Sequence, residues 1–499
     1  MTKAEKRAFR MEHPESDLKY MILFKAIDEK NEIDEQKLLR KNPTLLPAQI
    51  SNLKAHLYRE VLLSIQRLES KNHPEIQISE MMDQARLLYD RCLYNDCLSM
   101  IDKAKKKASS NDSFLLLLEL LELEKLAVSR SGVSHSAKRV NQIISETEKT
   151  ANAIRNINSF SNLSLLLTNY YQQSGFIRNK RELDKIKKLF FSSLPHYKET
   201  ELSFHELLYL YQSFIGYSFF VQDLKNGLHY ASQLVRLFDS HPEMKIRRTE
   251  MYIKALNSLL VVQNKLYLYK DFMDTHRKLV ALKRNKPLRL TDNISLHLFK
   301  AIYIHEINRH FMLGEFRSGT KIVLKLEKEL NDFIPKLDTH TVLIFYYKIA
   351  SLYVGAGNYK IALKWLNKIF QAEEPDLRED IHAFARILRL ICYFELQDDE
   401  MVDSAIRSAY RFLLQNRNFA KYHLLIIRFL KNLKKGAKPE EIIRQFKDLK
   451  SKMMLLTNDP FEKRAFLYFD MISWLESKIE NKSIQDIIKL KAQKRIQQA

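Results

Sequence analysis

The sequence predicts an all-α fold, and three observations carry that expectation. Glycine is scarce, at 9 residues in 499, whereas doubly wound sheets, barrels and sandwiches need it for turns, bulges and close backbone approach. Leucine, lysine, glutamate, isoleucine and alanine are abundant, and they suit helices. Apolar residues recur at helical spacing, as Tyr346, Ile349, Ala350 and Tyr353 do at i, i+3, i+4 and i+7. Hydrophobic residues make up 45% of the chain, enough to bury a large core, so disorder is expected only at the ends.

In chain order, Asp17–Ile27 and Ala48–Leu68 read as helices, with Pro43 and Pro47 stopping and restarting the chain between them. They form an N-terminal helical cap region over residues 1–77. The clearest unit beyond it is YYKIASLYVGAGNYKIALKWLNKIF, Tyr346–Phe370. After its first stripe, Gly355, Gly357 and Asn358 break the helix. A second stripe follows with Ala362, Leu366 and Ile369, and Pro375 closes the unit. Ala350 and Ala362 stand where two antiparallel helices approach most closely.

This unit resembles the tetratricopeptide repeat. It departs from that pattern in Leu366, Ile369 and the late Pro375. Weaker copies of the scheme include Met81 to Ala104, Phe311 to Leu326 and Arg389 to Phe412. Small residues of the second helices, Gly319, Ala362 and Ala405, lie 43 and 43 residues apart. Softer markers fall at Tyr269, Ala231, Leu183, Val140 and Cys97, a mean period of about 44, longer than the ~34 of the ordinary repeat. The resemblance implies a right-handed α-solenoid of antiparallel helix pairs, a TPR-like superhelix of about eight pairs over residues 78–415, with helical caps. The cap over residues 416–499 is expected to hold helices at Ala420–Leu433, Glu440–Leu456 and Pro460–Ile479, and a basic amphipathic tail at Ile484–Ala499.

The net charge is +22. Residues 1–100 hold 16 basic and 16 acidic side chains, whereas residues 421–499 hold 18 basic and 9 acidic. A basic surface favours acidic partners. Three cysteines, Cys92, Cys97 and Cys392, are too few for a disulfide framework. The start shows charge without an apolar run, and the most apolar stretch, Phe114–Val128, carries Glu119, Glu122, Glu124 and Lys125. No signal peptide and no membrane span are expected, and the protein reads as cytoplasmic.

Catalytic motifs are not found. His305 and His310 are spaced i, i+5, about 140° apart on a helix, not the i, i+4 of a zinc pair. Cys97 fits a buried packing slot. Gly355-Ala356-Gly357 lacks the third glycine and the strand of a dinucleotide loop. Asp398, Asp399 and Glu400 fit helix capping. The chain is therefore expected to be no enzyme and to need no cofactor or metal.

The expected function is a non-enzymatic scaffold or adaptor that binds a protein or peptide partner in the concave groove of the repeats. The resemblance places the first helix of each pair along that groove. The lining residues are then Tyr347, Ser351 and Val354, with Ile304, Asn308 and Phe311 one unit earlier, and Met82 and Arg86 in the early unit. These slots lack the lysine–asparagine pairs with which some family members hold a partner's C-terminal carboxylate, and Asn308 alone fits one. A partner of acidic and apolar character suits them. Nucleic-acid binding through the basic surface is the second expectation.

Overall fold

The computed structural model describes the chain apart from residues 15–17, 31–34, 71–72, 132–136, 175–176, 178, 285–290, 372–378, 416–420, 433–438, 460 and 499. Asp17, Pro375, Ala420, Leu433 and Pro460 thus lie outside the described residues. Among the described residues the regular elements are all helices, as the scarcity of glycine implies. The chain divides into two compact units, Met1–Arg155 and Asn156–Ala499.

The first unit holds α1 (Lys3–Glu12), α2 (Lys19–Lys30), α3 (Glu35–Lys41), α4 (Ile50–Ser70), α5 (Pro74–Asp90), α6 (Tyr94–Ser110), α7 (Phe114–Arg130) and the start of α8 (Ala137–Ser174). Thr2 opens the chain with a capping box: its hydroxyl accepts from the Glu5 N–H, and the Glu5 carboxylate accepts from the Thr2 N–H. Phe9, Phe24, Leu38 and Leu57 bring α1 to α4 together, while Ile78, Ala104, Leu120 and Leu121 join α5, α6 and α7.

The second unit continues α8 and adds α9 (Lys180–Ser192), α10 (Phe204–Val221), α11 (Leu224–Ser240), α12 (Pro242–Arg247), α13 (Thr249–Lys265) and α14 (Tyr269–Ala281). Next come α15 (Asp292–Leu313), α16 (Phe316–Phe333), α17 (Thr339–Gly355), α18 (Tyr359–Phe370), α19 (Glu379–Glu395) and α20 (Asp399–Gln415). The C-terminal part consists of α21 (Lys421–Asn432), α22 (Pro439–Thr457), α23 (Met471–Ile479) and α24 (Ile484–Gln498). Consecutive helices pack as pairs: α10 with α11, α13 with α14, α15 with α16, α17 with α18, α19 with α20. Across pairs, the first helices form a row in which α13 meets α15, α15 meets α17, α17 meets α19 and α19 meets α21.

One turn recurs at eight helix ends among the described residues: Asp112 (φ 49°) stands between α6 and α7, Asn481 (50°) between α23 and α24, and six more join the paired helices. The first helix ends on a residue in the left-handed region: Cys92 (φ 60°), Gln222 (61°), Tyr267 (56°), Gly314 (66°), Gly357 (80°) and Gln397 (56°). The following N–H then reaches the carbonyl five residues back (Leu93 to Leu88, Asp223 to Ser218, Leu268 to Gln263, Glu315 to His310, Asn358 to Tyr353, Asp398 to Tyr393), at 2.9 to 3.1 Å. This closure satisfies carbonyls that a helix end otherwise leaves open. Five positions past the left-handed residue stand Cys97, Gly227, Phe272, Gly319, Ala362 and Val402. All but the half-buried Val402 are buried. In the second unit these positions are 45, 47, 43 and 40 residues apart.

Cys97, Gly319 and Ala362 therefore mark the repeat as expected, but Ala405 and Ala231 do not hold the equivalent slot. Val402 and Gly227 hold it. Val140 lies exposed on α8, a helix of 38 residues that no turn interrupts. The expected helix Pro460–Ile479 is also shorter than its apolar pattern suggested. Asp459 accepts from the N–H groups of Phe461 and Glu462, and Lys463–Leu467 is a 3-10 turn. The α-helix starts only after Asp470, whose carboxylate accepts from the Ser473 N–H at 3.0 Å.

Candidate functional site: the row of first helices

A polar chain runs across three first helices. Lys348 of α17 donates from Nζ to Asn308 Oδ1 at 2.6 Å. Asn308 donates from Nδ2 to His305 Nδ1 at 3.3 Å, and His305 Nε2 meets Asn257 Oδ1 of α13 at 2.9 Å. Only one tautomer completes this chain, with His305 neutral and its proton on Nε2. Full burial, aided by the Lys348 charge, holds His305 well below its usual pKa.

Lys348 itself is half-buried, and burial with the nearby Lys265 charge pushes its ammonium down to about 8. Its charge lies over the Phe311 ring at 5.6 Å, and among the described residues no carboxylate lies within ion-pairing distance of it. Lys265 is similarly pushed down to about 8. A lysine in this setting keeps enough proton affinity to remain charged near neutrality.

The row is partly covered by the chain's own C-terminal segment. Tyr468 stacks on Phe384 of α19, centroids 4.0 Å apart and 9° from parallel, and its carbonyl accepts from the Tyr347 hydroxyl at 3.3 Å. The Tyr468 hydroxyl donates to Asp380. Trp474 donates from Nε1 to Glu395 at 2.7 Å, and Lys478 pairs with the same carboxylate. Farther on, Gln485 accepts from the Arg317 N–H at 2.9 Å, and the Arg495 guanidinium lies 4.0 Å from the Tyr267 ring centroid. The path from α23 through α24 thus crosses the turns of the α19, α15 and α13 pairs in reverse order.

The expected lining residues separate on this geometry. Tyr347, Ser351, Val354 and Asn308 are buried, Tyr347 beneath Tyr468 and Asn308 inside the polar chain. Ile304 and Phe311 are half-buried at the margin of the core. In the first unit Met82 is buried with Ile78 and Ala104, and Arg86 is exposed and paired with Asp83 and Glu119. The side chains that sequence reasoning missed are Lys348 and Asn257. Lys348 had a legible signal, being the one Lys, Arg, Asp or Glu within α17.

Other candidates take structural roles. His310 faces Glu306 and Glu315 at 3.7 and 3.6 Å, away from His305, and accepts from Arg309 at 3.1 Å. Asp398 caps α20 by accepting from the Met401 N–H. In the first unit, a cleft of about 310 Å³ lies among Asp102, Lys105, Glu124, Lys138, Arg139 and Gln142. Its buried Glu124 pairs with Lys105 at 2.7 Å and with Arg139 at 2.8 Å, and Arg139 also pairs with Asp102. No group of three His, Cys, Asp or Glu among the described residues is placed to hold a metal ion. No helix among them is long and apolar enough to cross a membrane. Compared with models of known families and with curated proteins, the chain matches none.

Proposed function

We propose that the chain is a non-enzymatic scaffold, a right-handed solenoid of tetratricopeptide-like helix pairs with helical caps, which binds a protein or peptide partner along its first helices in the cytoplasm. Lys348 carries the reading. Holding a cation half-buried without a counter-ion costs stability, because desolvation penalises the charge. A carboxylate delivered by a partner removes that penalty, with Asn308 fixing the ammonium and Phe311 and Ile304 offering apolar contact beside it. The favoured partner segment is therefore extended or helical, with an Asp or Glu flanked by apolar residues.

The test is affinity capture from native lysate with nuclease, comparing the wild-type chain with Lys348→Met and Lys348→Glu, each checked for helix content by circular dichroism. A partner that survives nuclease and moderate salt should bind wild type and lose about thirtyfold or more in affinity to either variant, since a lost buried charge pair costs about 2–5 kcal/mol. If nucleic acid dominates the eluate and falls away steeply with salt, or if the variants capture the same partner undiminished, the scaffold reading fails.

A further inference from the structure

A second group of half-buried cations lies on α19, turned away from the row of first helices. Arg386 and Arg389 are spaced i, i+3, so they share one face, and Arg386 is about 200° around the helix from Phe384. The Arg386 guanidinium lies 3.7 Å from the ring centroid of Phe412 on α20 and 5.1 Å from that of Phe370 on α18. Arg389 lies 4.4 Å from Phe370. Among the described residues each has one acceptor: Arg386 donates to the His382 carbonyl at 3.0 Å, and Arg389 to Ser408 Oγ at 3.0 Å. Both Nε atoms are buried and have no hydrogen-bond partner. Among the described residues no carboxylate pairs with either guanidinium.

Two like charges held side by side between aromatic rings are an uncommon arrangement. Guanidinium groups stay protonated in proteins, and buried charges are ordinarily paired. Burial and the neighbouring Arg389 push Arg386 down to about 10, which still leaves it charged at neutral pH. The phenylalanine faces offset part of the desolvation through cation–π attraction, but they satisfy none of the N–H groups. Among the described residues no group supplies the counter-charge.

We propose that Arg386 and Arg389, walled by Phe370 and Phe412, form a binding site for a phosphate monoester, carried either on a small molecule or on a partner's phosphorylated side chain. Charge selects phosphate over carboxylate. A phosphomonoester carries nearly two negative charges at neutral pH and matches both guanidinia, whereas one carboxylate leaves a guanidinium unpaired. Guanidinium forks also suit the several acceptor oxygens of phosphate. Ser408 accepts from Arg389 and keeps its own hydroxyl proton to donate to a bound oxygen. This site is independent of the scaffold reading, because it uses neither Lys348 nor the face of α19 that carries Phe384.

The test uses the full chain and follows the urea midpoint by tryptophan fluorescence, with titration calorimetry for affinity. The probes are inorganic phosphate, O-phosphoserine and a short phosphoserine peptide, with acetate at matched ionic strength as the control. At least one phosphate probe should raise the midpoint where acetate does not. Arg389→Gln should weaken that binding about tenfold or more, the loss expected of one charge-assisted contact, and Arg389→Lys should recover only part of it. A peptide that binds much more tightly than inorganic phosphate assigns the source to a partner's side chain, and equal binding assigns it to a free ligand. Arg386 packs closely on Phe412, so Ser408→Ala serves as the second variant if Arg386→Gln fails to fold. Equal midpoint shifts by acetate and all phosphate probes, or undiminished binding by Arg389→Gln, would overturn the site.

Discussion

Mild acid should unfold residues 156–499 through histidines that are buried neutral. His423 packs against the rings of Phe384 and Tyr422, and neither of its ring nitrogens has a hydrogen-bond partner. Burial pushes it from 6.5 down to about 4. His382, facing Phe412 with Arg386 and Asp380 nearby, is also pushed down to about 4, by burial first and then by Arg386. The unfolded chain therefore binds these protons more readily than the folded chain. The stability they contribute is complete above pH 6.5, falls as pH drops from 6.5 toward 4, and levels off below.

At pH 4.5 each site should have removed about 2.5 kcal/mol, at 1.36 kcal/mol per unit between the two pKa values. Both together remove about 5 kcal/mol, a large share of a typical domain's 5–15 kcal/mol. His276, His305 and His310 are lowered too and act in the same direction. Trp365 and Trp474, the two tryptophans of the chain, both belong to the second unit, so their fluorescence reports on it alone. Urea midpoints measured from pH 7.5 to 4.5 should fall steadily, and His423→Phe should remove its share of the slope. A flat profile, or an unchanged slope in His423→Phe, would refute the reasoning.

Three further outcomes follow from single positions. An alanine methyl at Gly314 would sit 2.6 Å from the Lys489 backbone nitrogen at φ +66°, so Gly314→Ala should cost ~2 kcal/mol or more and speed hydrogen exchange across α24 first. Gln397→Gly relieves a left-handed residue (φ 56°) and should raise the tryptophan-detected stability by up to ~1 kcal/mol. Glu124→Ala removes the buried carboxylate that Lys105 and Arg139 share, leaving them Glu146 and Asp102, and should cost ~2 kcal/mol. That loss is read by far-ultraviolet circular dichroism, because the first unit has no tryptophan.

Helices were legible in the sequence because burial and periodicity coincide: Ala362, Leu366 and Ile369 face inward as their spacing says. The phase of the repeat was harder to read. Of the eight left-handed turn residues among the described residues only Gly314 and Gly357 are glycines, and Cys92, Gln222, Tyr267 and Gln397 in particular give no turn signal. The fixed element is the backbone closure, which tolerates many side chains at a modest strain. The division within α8 was hidden for a related reason, since residues 137–174 contain no glycine or proline to mark it. The buried state of Tyr347 was illegible too, because Tyr468, which covers it, is 121 residues away. The tail reads locally as an amphipathic helix, but its partners around Gly314 and Arg317 are set by tertiary packing.

The net charge of +22 says less about function than a few cations that contribute little to it. Exposed lysines keep their water, and a surface ion pair is worth about 0–1 kcal/mol, so their number can drift without consequence. Lys348, Arg386 and Arg389 stand within the apolar helices α17 and α19, where methionine or leucine would pack without desolvating a charge. On that argument Lys348→Met should leave the free chain as stable as wild type or more so, while it weakens capture of the partner. A residue that costs stability in the free chain and is needed for binding is placed for its ligand. A Lys348→Met chain that lost both stability and binding would instead make the polar chain from Lys348 to Asn257 a structural device.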